Sequence, residues 1–234
     1  MSSRSRELER ALVALDEITR RLRAECPWDR EQDERTIVPH TVEEAYELAD
    51  AAHSRDDAKM LDELGDVLFQ VYFLSLLLEE RGKGDLAEVA EHCRQKLIRR
   101  HPHVFGDTEA EDAATVLRNW DEIKRTEEGR GAGELFGDVP ENLPSTLYAR
   151  KLLRRASSGG AYSQPSREEL AESVRTASSR AERASESDER FDAVGELLFA
   201  AVALAREEGV DPELALRRAA DAWRQRLERS EVKR

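Results

Sequence analysis

Five acidic residues stand in two short runs whose spacing suits metal chemistry: Glu43, Glu44 and Glu47, then Glu63 and Asp66. Glu44/Glu47 and Glu63/Asp66 are each three residues apart, so on helices each pair projects from one face. The stretch between the runs is short enough to join two antiparallel helices, which brings both pairs together. Converging carboxylates repel one another, and hard divalent cations with oxygen ligands, Mg²⁺ above all, resolve that repulsion. Acidic runs on helices are more often plain solvated faces, and Thr41-x-x-Glu44 also has the form of a capping box. Two features favour metal. No Lys or Arg lies between Glu43 and Asp50 to form the i,i+4 ion pairs of an ordinary exposed helix. Glu63 and Asp66 also lead into the most apolar stretch of the chain, Val67 to Leu78. A carboxylate buried there must neutralise, find a partner or bind metal.

A second cluster is basic: Lys96, Arg99 and Arg100, followed by His101 and His103. Lys96 and Arg100 share a helix face and are able to grip phosphate oxygens. Cations at a helix C-terminus also offset its dipole, and taken alone that account is the simpler one. Trp28, within CPWD, and the pair Asn119-Trp120 offer aromatic faces and an amide to a nucleobase, although an isolated Trp is more often core. Other chemistries are poorly matched. Asp50-x-x-His53 is the one carboxylate-x-x-His spacing, whereas a di-iron bundle wants two such elements. There is no phosphate-cradling glycine loop and no GxSxG turn, and neither Cys26 nor Cys93 has a suitably spaced His or Asp.

The elements that must position these residues are helices. Apolar residues recur at three to four, beginning with Leu8, Ala11, Leu12, Leu15, Ile18 and Leu22. The pattern predicts a second helix from Thr36 to about His53 with Pro39 in its first turn, and a third over about 56–80 that is buried on all sides. A fourth, capped by Asp85 with Glu88, runs to Arg100, and a fifth opens at Thr108 with Glu111 and runs to about residue 128. From Gly129 the sequence turns rich in glycine, proline and serine, with one short helix from Pro144. Helices over 166–187 and 191–208 follow, and Asp211-Pro212 opens the last. The division expected is a helical domain over 1–128, a connector over 129–165 and a second helical repeat over 166–234.

Composition narrows the partners. The 234 residues are 37% charged and carry a net charge of −13, which argues against a nucleic-acid polymer or an anionic membrane as ligand. Val67 to Leu78 is too short to span a bilayer, and the N-terminal residues carry no apolar signal segment. Two cysteines fit a reduced compartment, so a cytoplasmic protein is expected.

The order of motifs resembles the MazG family of nucleoside triphosphate pyrophosphohydrolases. CPWDREQ, VEEAYEL, DELGDVLFQV, EHCRQKLIRRHPHVFGD and NWDEIK all read like that family in the same order, over roughly residues 8–127. The resemblance implies an all-α homodimer that uses Mg²⁺, with Mn²⁺ as a substitute. It implies cleavage of a nucleoside triphosphate to the monophosphate and pyrophosphate by attack at the α-phosphorus, and a role in cleaning the nucleotide pool. It makes Glu44, Glu47, Glu63 and Asp66 the metal ligands and Glu43, Glu44 and Glu63 the catalytic acids. Lys96 and Arg100 then contact the triphosphate, and Trp28, Asn119 and Trp120 the nucleoside. A non-catalytic helical module that dimerises through its apolar helix is the alternative.

The second half resembles a worn copy of the same domain. FDAVGELLF follows DELGDVLF, but Ala193 stands where Glu63 stands in the first copy, and Glu196 where Asp66 stands. Glu168, Glu169 and Glu172 are the expected remnant of the first acidic run. Ala222 and Arg226 occupy positions where the family places a Lys and an Arg. Losing a ligand and a cation together predicts an inactive repeat that serves packing or dimerisation.

Overall fold

A computed structural model describes residues 2–110, 112–127, 135–137 and 139–231. Glu111, and most of the glycine-rich stretch after residue 127, including the expected boundary at 128/129, lie outside the described residues. Among the described residues there are eleven helices and no strand, so the protein is all-α. No helix among them is long and apolar enough to cross a membrane. The chain divides into two compact units, Met1–Phe105 and Gly106–Arg234.

The first unit contains α1 (Ser3–Glu25), α2 (Pro27–Glu31), α3 (Glu34–Ser54), α4 (Asp57–Glu80), α5 (Leu86–Arg100) and α6 (Pro102–Phe105). Helix α3 begins earlier than the sequence pattern predicts. Asp33 accepts from the backbone N–H of Thr36 at 2.9 Å, and the Thr36 hydroxyl accepts from the Asp33 N–H at 2.9 Å, closing a capping box. Pro39 therefore lies inside α3 rather than in its first turn, and Thr41 lies inside as well, so Thr41-x-x-Glu44 is not a cap. Arg55, in the left-handed region at φ 57°, and Asp56 form the two-residue turn into α4, and Asp56 caps α4 by accepting from the Lys59 N–H at 3.0 Å.

The core of this unit joins Ile37 of α3 to Phe73 and Leu77 of α4, with Phe69 and Leu74 packed against them. Helix α1 is clamped to the end of α4 by two forked ion pairs. Arg20 donates to both Glu79 oxygens at 3.0 and 2.6 Å, and Arg23 to both Glu80 oxygens at 2.8 Å. Arg23 also donates to the carbonyls of Asp29 at 2.5 Å and Gln32 at 3.0 Å, and its guanidinium lies 5.8 Å from the Phe73 ring centre. One side chain thus fixes the CPWD helix against the core. Helix α4 is not buried on all sides: Tyr72, Phe73, Leu76 and Leu77 are buried, but Leu61, Leu64, Leu68 and Val71 are exposed. Helices α1, α3 and α5 pack on α4 and leave the face that carries those four residues open.

The second unit contains α7 (Ala113–Glu127), α8 (Ser145–Ser158), α9 (Arg167–Arg183), α10 (Ser187–Glu207) and α11 (Pro212–Glu231). Helix α7 starts at Ala113, with Asp112 accepting from the Thr115 N–H at 2.6 Å, rather than at Thr108. It packs on α8, which is why the division falls after Phe105 instead of beyond the fifth predicted helix. Leu153, Leu170, Val202 and Ala203 form the core between α8, α9 and α10. Ser166 and Glu169 close a capping box at the start of α9, and Pro212 opens α11.

Candidate active site

The acidic residues are carried by α3 and α4, the antiparallel pair built around the Arg55–Asp56 turn. Two cross-helix contacts fix its register. The Lys59 ammonium donates to Asp50 at 2.8 Å, and Thr41 and Gln70 come within 3.5 Å of each other. Glu44 and Glu47 lie between Thr41 and Asp50 on α3, and Glu63 and Asp66 between Lys59 and Gln70 on α4, so the two pairs face one another. One carboxylate oxygen from each of Glu44, Glu63 and Asp66 lies within 4.8 Å of the others. Glu63 is buried, with 6% of its surface exposed, Glu44 is half-buried and Asp66 is exposed.

The electrostatics follow from that convergence. Loss of water raises the Glu44 carboxyl above the ordinary carboxylate range, and Asp66, Glu47 and Glu43 add to the rise while His40 opposes it. Burial also raises Glu63, with Glu47, Glu44 and Asp66 adding and Lys59 opposing. Asp50 takes up the Lys59 ammonium and raises its pKa. The site is therefore short of positive charge even with a lysine one turn away. Its donors are all carboxylate oxygens, the set that fits a hard cation such as Mg²⁺ or Mn²⁺ and not a soft one.

The remaining predicted residues are placed as follows. Glu47 is exposed and stands outside the trio, close enough to act on Glu63. Glu43 is exposed, and its carboxylate lies 3.2 Å from Nδ1 of His40. The His40 ring meets Trp28 edge to face, with centres 5.8 Å apart, so half-exposed Trp28 belongs to the same end of α3 as the acids. Lys96 and Arg100 sit one turn apart and half-buried on α5, which packs on α4. Asn119 and Trp120 are half-buried on α7, in the second unit. Two neighbours escaped the sequence reading. Lys59 stands four residues before Glu63 and His40 four before Glu44, the spacing of helix-surface partners.

Residues 32–105 match the MazG nucleotide pyrophosphohydrolase domain. A nucleoside triphosphate pyrophosphohydrolase of Escherichia coli (strain K12) is 36% identical over 207 residues, covering 86% of this chain and 79% of the relative. The nucleoside triphosphate pyrophosphohydrolase/pyrophosphatase MazG of Thermotoga maritima is 35% identical over 206 residues, 88% of this chain and 79% of its own. The chain belongs to the MazG family. A Mycobacterium tuberculosis nucleoside triphosphate pyrophosphohydrolase is 30% identical over 161 residues, 68% of this chain and 47% of the relative.

The matched MazG segment runs from just before the α3 cap through α6, and so holds all five acids together with Lys96 and Arg100. The second unit pairs α9 with α10 as the first pairs α3 with α4, but its chemistry differs. Ala193, aligned with Glu63, is fully buried, and Glu196, aligned with Asp66, is held by Arg180. Two acids of the expected remnant are engaged locally. Glu169 is spent on the α9 cap and Glu172 pairs with Arg175 at 2.7 Å. Capping drew Glu169 to the helix start, a use that spacing alone did not distinguish from ligation.

Proposed function

We propose that this MazG protein hydrolyses nucleoside triphosphates to monophosphate and pyrophosphate at the α3–α4 acids of its first unit. The observation that carries the reading is the convergence of Glu44, Glu63 and Asp66 within 4.8 Å, with burial and mutual repulsion raising two of them. Such a trio holds a divalent cation, with Glu47 alongside. Mg²⁺ bound there supplies Lewis-acid polarisation of phosphoryl oxygens.

The protein's own groups do the rest. Glu43 stands beside the trio with one oxygen steadied by His40, and it accepts the proton of the attacking water. Lys96 and Arg100 offset the charge that builds on the departing pyrophosphate. Trp28 presents its exposed ring to the base. Water attack at the α-phosphorus, the course the family resemblance implies, breaks the α–β anhydride and releases monophosphate and pyrophosphate. The exposed row Leu61, Leu64, Leu68 and Val71 on α4 supports a homodimer formed over this face. House-cleaning of the cytoplasmic nucleotide pool is the role this activity serves.

A panel of nucleoside triphosphates, assayed with Mg²⁺, Mn²⁺ or chelator and read by pyrophosphate release, tests the proposal. Release that depends on the cation is the expected result. Absence of release across the panel, or release of orthophosphate alone, overturns it.

A further inference from the structure

The second unit contains an open cavity of about 530 Å³ formed by α8, the C-terminal end of α10 and the turn into α11. Its lining is strongly basic. Arg150, Lys151 and Arg154 come from α8 and Arg206 from α10, against Asp211 as the one lining carboxylate. Arg150 and Arg154 are one turn apart, so their guanidiniums share a face, and Arg206 approaches from a different helix.

The one lining carboxylate offsets only part of this charge. Asp211 pairs with Arg150 and also caps α11, accepting from the Leu214 N–H at 3.0 Å. Arg206 donates to the neutral amide of Gln164 and so keeps its full charge. Glu207 accepts from Gln164 at 3.1 Å and Glu208 pairs with Arg167. Arg154 is exposed and makes no ion pair or hydrogen bond among the described residues. Cations in the last turn of a helix commonly offset its dipole. That account covers Arg206, in the last turn of α10, but does not reach Arg150 and Lys151, which lie in the middle of α8.

In a chain with a net charge of −13, a concave patch of four cations concentrates anions that the rest of the surface repels. Planar guanidiniums in this arrangement match phosphate oxygens in forked pairs. Leu143, Leu147 and Val210 give the cavity an apolar wall beside the cations, and its volume is that of a small-ligand site. We propose that this cavity binds a phosphate-bearing anion, a nucleoside phosphate or an inorganic polyphosphate, at a site that shares no residue with the acidic trio.

The test is calorimetric titration of the full chain with ATP and, separately, with inorganic pyrophosphate, both in chelator so that cation-dependent binding at the acids is silent. Saturable binding is expected. Arg154→Glu should weaken it about tenfold or more, and Glu63→Gln should leave it unchanged. Lys151→Ala provides a second, milder variant should Arg154→Glu fail to fold by circular dichroism. Tighter binding of ATP than of pyrophosphate assigns the apolar wall to a nucleoside, and equal binding assigns the site to phosphate alone. No saturable binding of either probe, or binding that Glu63→Gln abolishes while the folded cavity variants retain it, overturns the proposal.

Discussion

Arg180 donates to both oxygens of Glu196, at 2.6 and 2.5 Å, whereas Asp66 in the first helix pair lies among other carboxylates. One helix pair thus neutralises its acid from within, and the other is starved of positive charge. An acid already satisfied by an arginine has little to offer a cation, and the neighbouring Ala193 offers no ligand atom at all.

The first prediction separates the two pairs. Glu63→Ala should abolish pyrophosphate release while leaving the helical circular dichroism intact. Glu196→Gln should leave release at the wild-type rate. Equal loss in both variants would place chemistry in the second unit.

The second concerns pH. A carboxyl whose pKa is raised by folding binds its proton more tightly when folded, so its ionised form costs stability above that pKa. The cost fades as pH falls through the folded value. In chelator at neutral pH, Glu63→Gln should therefore melt higher than wild type, and the gap should close on acidification through the raised carboxyl range. Adding Mg²⁺ should raise the melting temperature of wild type more than that of the variant. A melting gap that is constant with pH would show that Glu63 is not strained by ionisation.

A third prediction addresses Glu43. Its replacement by Gln keeps size and hydrogen bonding but cannot take a proton. The rate constant kcat should fall by roughly 10²–10⁴-fold with KM little changed. A rise in KM at constant kcat would instead make Glu43 a binding group.

The fourth tests the frame that holds α2. Arg23→Met keeps the apolar stem but leaves Glu80 and the carbonyls of Asp29 and Gln32 without their donor. Urea unfolding should show a loss of about 1–3 kcal/mol, the usual cost of stranding such groups. A double-mutant cycle with Glu80→Gln should show coupling between the two positions.

Much of this arrangement is legible in the residues themselves. Period and caps locate the long helices, and the spacing of Glu44, Glu47, Glu63 and Asp66 anticipates a cross-helix acidic centre. What the residues do not reveal is tertiary in origin. The start of α3 depends on a capping box two turns before the acids, which the rule that proline belongs in the first turn displaced to Thr36. The openness of one face of α4 depends on which helices pack against it, which apolar content does not state. Lys59 escapes notice because its charge is drawn towards Asp50, a partner on the neighbouring helix.

Both principal helix pairs are made of consecutive elements, joined by two residues between α3 and α4 and by three between α9 and α10. Closing so small a loop costs little entropy, and contacts between near neighbours in sequence form quickly. The Ile37, Phe73 and Leu77 core lies within the first hairpin, whereas the second hairpin shares its core with Leu153 of α8. A change of chemistry in the first hairpin then places little demand on the fold of the second unit.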